Sequence, residues 1–275
     1  MKERKLQEIG KSLLVTVPKE WANTLRLKKG STVRMSVADN GALLIAPEFT
    51  GKVENRKVSI PFDVSGERRF FREYFSGAQE ITLNIKERPD SDARSFLRTF
   101  MNVQLVEESK DKLVVKCFPI DELTIDECLS RMFFLSLNLF DDAIASAPKD
   151  VRNATEESLT RFYYLLVMQI RRFLSEGRFA RAQISLIRAM DMRMVAERIE
   201  RIADILKRLD VKRSEIGELQ DTKKFYKQAF GCFRECNFND AVPLWAAERE
   251  LRKYIKSPHA STIVRLAKEI SSFVR

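Results

Sequence analysis

Histidine occurs once, as His259, and cysteine four times, at positions 117, 128, 232 and 236, in a chain of 275 residues. No two of the cysteines form a CxxC pair, so zinc knuckles and His-based zinc sites are not expected. A nucleophile activated by histidine would have to use His259, directly after Pro258, and no inward-facing pair of carboxylates offers another catalytic constellation. Gly-rich phosphate loops of the Walker or Rossmann type are missing too. Enzymatic activity is therefore not expected, and no cofactor is required. No run of eighteen apolar residues occurs, and the opening MKERKLQEIG lacks an apolar signal core. These absences predict a protein without membrane insertion, and the free thiols suit a reducing cytoplasm. Only nine glycines and eight prolines are present, which argues against a loop-rich sandwich and for long helices.

Positive charge is in excess. Lys and Arg number 49 against 39 Asp and Glu, a net of +10, and 44% of residues are hydrophobic, ample for packed cores. The excess per residue is greatest over residues 1–50, and six of the nine glycines fall within the first 77 residues. Turns are dense early and sparse late. Pro47 and Pro119 lie near the two shifts in composition, which predicts three domains: 1–49, 50–119 and 120–275.

The first segment reads as short strands. Residues 13–17 end at Pro18, residues 32–37 alternate before a turn at Asp39-Asn40-Gly41, and residues 43–45 run to Pro47. Between them, residues 18–25 can make two turns of helix with proline in the first. So small a segment cannot close a core alone, and with neither disulfide nor metal at hand a second copy is expected.

The run RKLQEIGKSLLVTVPKEWANTLRLKKGSTVRMSVADNGALLIAP resembles the SpoVT/AbrB-type DNA-binding module. Its Gly-Lys-Ser turn, apolar strand closed by Val-Pro, short helix, L-x-x-G and terminal hairpin carry the likeness. The resemblance implies a swapped-hairpin β-barrel made by two interleaved chains. It also implies double-stranded DNA as ligand, held by Arg4, Lys5, Lys11 and Lys19, with Ser12 in the turn. Clustered cations gain affinity by releasing counterions from the phosphate backbone. The competing reading is a solvated surface on a barrel that binds a protein, as some members of this fold bind a toxin.

Residues 50–119 mix strands and helices: a strand at 57–61, a helix at 67–75, a strand at 80–85, a helix capped by Ser91, and a hairpin over 103–106 and 112–116. This is a small α+β connector. Arg68, Arg69 and Arg72 could form an anion site, although their spacing suits a solvated helix face better.

From residue 121 the pattern is helical: 121–147, 150–175 with Gly177 beyond its end, 178–209, 214–235, 239–255 and 261–273. The third carries Met192, Val195, Ile199, Ile202, Leu206 and Leu209 at alternating spacings of three and four. Six helices with short connections predict an all-α pair of three-helix bundles in series. MRMVAERIERIADILKRL, LTRFYYLLVMQIRRFL and DELTIDECLSRMFFLSLNLFDDAIASA resemble PhoU-type helices. Together with the first segment they make the chain similar to an archaeal phosphate uptake regulator with a SpoVT/AbrB domain in front.

That resemblance implies a homodimeric, DNA-binding regulator of phosphate uptake or homeostasis, with the helices as sensor or partner surface. The alternative it allows is a signalling adaptor that docks on a transporter or kinase, with the barrel serving only to dimerise it. It further implies carboxylates that can bind a divalent or ferric ion, with Glu197, Glu200 and Asp204 as candidates. At about 100° per residue they lie nearly opposite the apolar stripe, on an exposed face. The same face offers Glu197–Arg201 and Asp204–Arg208 as ordinary ion pairs at i, i+4. Thr160 stands where the related pattern has an acid, leaving Glu156 and Glu157 without it. Cys232 and Cys236, with no further cysteine or histidine beside them, read as buried small hydrophobes rather than ligands. Phe225, Tyr226, Phe230 and Trp245 read as core.

Overall fold

The computed structural model describes residues 3–37, 41–47, 56–85, 91–120, 122–176 and 184–274. The chain divides into two compact units, Met1–Glu54 and Asn55–Arg275. The expected turn residues Asp39 and Asn40, the helix end at Gly177 and the helix start at residue 178 lie outside the described residues, as do Asp121 and the Ser91 side chain.

In the first unit, β1 (Gln7–Ile9) and β2 (Ser12–Leu14) form an antiparallel hairpin that pairs Ile9 with Ser12. Gly10, at φ +63°, takes the first central position of the tight turn, where a positive φ suits glycine. The strand expected over 13–17 is thus shorter, and a strand at 7–9 is added. Helix α1 (Lys19–Thr24) follows Pro18, which caps it from an extended conformation. A second hairpin pairs β3 (Val33–Val37) with β4 (Leu43–Pro47), Met35 opposite Ile45. The two hairpins are separate two-stranded sheets. None of the described side chains of this unit is buried. Leu13 is 69% exposed and Val37 73%, and Leu6, Ile9 and Met35 are open as well.

The second unit opens with a four-stranded sheet in the order β5-β6-β8-β7. Strands β5 (Lys57–Pro61) and β6 (Glu80–Asn84) run parallel, joined through α2 (Gly66–Phe75). Helix α3 (Ser91–Arg98) leads to the antiparallel hairpin of β7 (Val103–Glu108) and β8 (Lys112–Cys117), whose β8 also pairs with β6. Alternation buries Ile81 and Leu83 of β6 with Leu113 and Val115 of β8 against Phe70, Tyr74 and Phe100. Gly66 sits so close to Phe62 that a Cβ there would stand 2.6 Å from a ring carbon.

The helices then follow: α4 (Ile125–Ile144), α5 (Lys149–Glu176), α6 (Leu186–Arg208), α7 (Ile216–Glu235), α8 (Phe238–Tyr254) and α9 (Pro258–Ser271). Helix α4 opens on a reciprocal cap: Glu127 N–H donates to Thr124 Oγ1 at 3.1 Å and Thr124 N–H to Glu127 Oε2 at 2.7 Å. Ser185 accepts from Arg188 N–H and starts α6. The buried Arg152 of α5 donates to the carbonyls of Leu206 and Leu209 where α6 ends; the Leu206 carbonyl also accepts the Leu209 N–H at 3.2 Å, so the arginine ties α5 to the closing turn of α6. The predicted stripe from Met192 to Leu209 is buried throughout.

The expected pair of bundles in series becomes one continuous core. Phe133 of α4 stacks on Phe230 of α7 with ring centroids 3.9 Å apart, and the Ser136 and Tyr226 hydroxyls meet at 2.8 Å inside it. The sheet layer joins the helices in the same way: Tyr164 of α5 lies 5.1 Å from the Phe71 ring and 5.3 Å from that of Phe100. Cys232 is buried as expected, whereas Cys236 is exposed. The latter ends α7 in a left-handed conformation at φ 52°, and so leaves the helical face its spacing assigned to it.

Candidate nucleic-acid interface and an acidic cluster between helices

The first hairpin distributes its cations. Arg4 and Lys5 lead into β1, Lys11 occupies the turn beside Gly10, Ser12 begins β2 and Lys19 begins α1; all are exposed. The whole of β1, three residues at about 3.3 Å each, lies between the Arg4–Lys5 end of the hairpin and Lys11, with Leu6 and Gly10 besides, so the two ends are more than about 10 Å apart. These groups are a row along a two-stranded ribbon rather than one cluster. Arg4 spends one donor on the Glu3 carbonyl at 3.2 Å. Exposed guanidinium and ammonium groups on a narrow ribbon are suited to phosphate oxygens, which fix position without reading sequence.

The candidate acids of α6 part company. Glu197 collects three guanidiniums, Arg201 at 2.7 Å, Arg193 at 3.5 Å and Arg198 at 3.6 Å, and remains a helix-surface ion-pair hub. Glu200 and Asp204 face α5 instead. There they meet the buried Glu156, with one oxygen of each of the three within 4.8 Å of the others. The expectation that these acids share an exposed face fails, because α5 packs along it.

Thr160, one turn after Glu156, donates its hydroxyl to Glu156 Oε1 at 3.0 Å. Lys207 Nζ lies 2.8 Å from Glu156 Oε2 and 3.1 Å from Asp204 Oδ1. Burial, then the negative fields of Asp204 and Glu156, push the Glu200 carboxyl up to about 7, against the opposing pull of Lys207 and Arg201. Burial and the field of Glu200 raise Tyr164 to about 12.

The oxygen donors suit a hard cation in type. In arrangement they do not fit one, since the Lys207 ammonium already bridges two of the three carboxylates and Thr160 supplies a hydroxyl where a further acid would be needed. Glu156, which the sequence offered only as part of the pattern that Thr160 interrupts and not among the candidate ligands, takes the place that Glu197 was expected to hold. Its signal was present: Glu156 and Thr160 sit at the same i, i+4 spacing on α5 as Glu200 and Asp204 on α6.

Residues 6–51 match the family described as antidote-toxin recognition MazE, bacterial antitoxin. No curated protein and no solved structure matches the chain. No helix among the described residues is long and apolar enough to cross a membrane. The segment that carries the SpoVT/AbrB resemblance is thus similar to a MazE/AbrB-type domain, which is consistent with a DNA-binding regulator.

Proposed function

We propose that the protein is a homodimeric transcriptional regulator of phosphate uptake or phosphate homeostasis, without enzymatic activity, that grips double-stranded DNA through its first unit. The helical unit serves as sensor or partner surface. The observation that carries this reading is the incompleteness of the first unit: two hairpins present apolar side chains, and no side chain described in the unit is buried. Interleaving with a second copy would cover those side chains and close a barrel, since association buries what one small chain cannot. Dimerisation also doubles Arg4, Lys5 and Lys11. A two-stranded ribbon has the width to enter a major groove.

Fluorescence anisotropy of the full chain on duplex DNA tests the DNA reading. Retained affinity at moderate salt after Arg4, Lys5 and Lys11 are changed to alanine overturns it. The phosphate role rests on the PhoU-like helix motifs. Chromatin immunoprecipitation in phosphate-replete and phosphate-starved cells tests it, and an occupancy that ignores phosphate rejects it.

A second reading is favoured by the match at residues 6–51, whose family is named for toxin recognition. In it the barrel holds a protein partner. Co-purification of a stoichiometric small protein, with no affinity for duplex at low salt, would select it.

A further inference from the structure

We infer that the cleft between β5 and α2 is a binding site for a small phosphomonoester. This inference concerns the second unit alone and stands apart from the DNA reading of the first.

The cleft is open to solvent and offers about 390 Å³. Its rim holds three guanidiniums: Arg69 and Arg72, neighbours at i, i+3 on α2, and Arg56, which precedes β5. Val58 and Ile60 of β5 give it an apolar wall. The Arg68-Arg69-Arg72 cluster of the sequence is thereby divided: Arg68 takes no part in the cleft, and Arg56, with no local signal linking it to α2, replaces it.

Glu73 lies beneath this rim and is 6% exposed. Its two oxygens serve different arginines: Oε2 accepts from Arg56 at 2.6 Å, and Oε1 forms an ion pair with Arg72 Nε at 3.1 Å. Arg56 also donates to the Ser76 carbonyl at 2.9 Å. Arg69 is held from outside the cleft by Asp63 at 2.6 Å, with the Pro61 carbonyl at 3.4 Å. The Arg69 guanidinium and the Ser65 N–H in turn keep the Asp63 carboxyl below its ordinary value. Arg56 and Arg69 are therefore anchored by hydrogen bonds along part of the fork, while Arg72, whose side chain is 79% exposed, is held by its ion pair to Glu73. A guanidinium carries five N–H donors, so among the described residues donors remain on all three.

Three cations against two carboxylates leave the group positive, and orienting them in advance lowers the ordering cost of binding an anion. Planar forks of this kind match the oxygens of a phosphate or carboxylate. The volume decides what else the ligand carries. The cleft holds roughly a dozen water volumes, far more than bare orthophosphate needs, and falls in the range of small-molecule sites. With an apolar wall opposite the arginines, a phosphate ester with a compact organic body fits better than the free ion. A diester of a nucleic-acid backbone would present the same oxygens with one charge fewer, and so is an outcome of the test.

The test uses the full chain, with phenyl phosphate, orthophosphate and the neutral benzyl alcohol as probes in isothermal titration. Phenyl phosphate is expected to bind at least tenfold more tightly than orthophosphate, and benzyl alcohol not to bind at millimolar concentration. Arg69→Ala and Arg72→Ala should each weaken phenyl phosphate tenfold or more. Arg72→Lys should fail to restore it, and Arg68→Ala should change nothing. Glu73 is a positioning residue: Glu73→Gln should lower affinity while Arg72 stays in place.

Should a variant fail to fold, phenylglyoxal modification of the unaltered protein, mapped by mass spectrometry, gives the same answer, with phenyl phosphate protecting Arg69 and Arg72 but not Arg68. Absence of binding at 10 mM (about this ceiling marks the millimolar limit of a specific site), or equal losses for Arg68→Ala and Arg72→Ala, overturns the inference. Displacement of phenyl phosphate by a short duplex, with DNA affinity lowered in parallel by Arg72→Ala, overturns it in favour of a nucleic-acid contact. A result confined to the first unit's lysines and arginines would bear only on the DNA reading.

Discussion

Glu200→Gln should stabilise the helical unit at pH 8 and have little effect at pH 5. The Glu200 carboxyl has an ordinary value of 4.5 and titrates at about 7 here, because α5 removes its water and brings Glu156 beside Asp204. Between those values the folded protein holds a proton that the unfolded chain releases. Stability therefore falls as pH rises from about 4.5 to about 7 and stays lower above that. At 1.36 kcal/mol per pH unit the full effect would be about 3.4 kcal/mol. Glu200 is only partly buried, and solvent screening reduces this to about 1–2 kcal/mol. Glutamine keeps the shape and removes the charge, so the difference between variant and parent isolates this one group from the other titrations. Urea denaturation followed by helical ellipticity at pH 5, 6, 7 and 8 measures it. A difference that is flat across that range, or a variant less stable at pH 8, would refute the linkage.

The other expectations concern both units. Lys207→Met should raise the Glu200 midpoint further, since Lys207 is among the groups that pull it down, and should destabilise more at pH 8 than at pH 5; carboxyl NMR titration and denaturation at the two pH values check this. Ile9→Asp with Leu13→Asp should convert the proposed dimer to monomer in sedimentation equilibrium while leaving helical ellipticity unchanged, because both side chains lie open on the first hairpin. If Arg4, Lys5 and Lys11 of two copies touch phosphates, log K should fall with log salt at a slope of about −5, and the triple alanine variant should lose most of that slope. Gly66→Ala should lower the stability of the second unit by about 1–3 kcal/mol in thermal unfolding, because the new methyl would press on the Phe62 ring.

Much of the secondary structure could be read from period alone. The three-and-four spacing from Met192 to Leu209 marks a face that is buried in full, alternation over residues 80–85 marks β6, and the expected hairpin strand over 112–116 marks β8. Expected helices over 150–175 and 214–235 lie within two residues of α5 and α7 at both ends. Boundaries were less legible where capping chemistry competes with pattern. Helix α6 starts at its Ser185 cap, and Cys236 turns left-handed and leaves its helix. The merging of the expected pair of bundles into one core was not legible at all. The Phe133–Phe230 stack joins residues almost a hundred positions apart, and no local window contains both.

The amino-acid sequence by itself determined which side chains share a helix or strand face, where the chain turns, and that the first unit is too poor in apolar groups to be self-sufficient. These are properties of short windows, set by backbone periodicity and by how much surface a small chain can bury. Tertiary structure alone decided which faces meet. It brought Glu156 to Glu200 and Asp204, set Lys207 among them, left Glu197 at the surface, and carried Arg56 to Arg72 across Glu73. A position along a helix gives the direction of a side chain but says nothing of the charge or dielectric that another element places opposite it. The proton affinity of Glu200 and the shape of the arginine cleft both depend on that second partner.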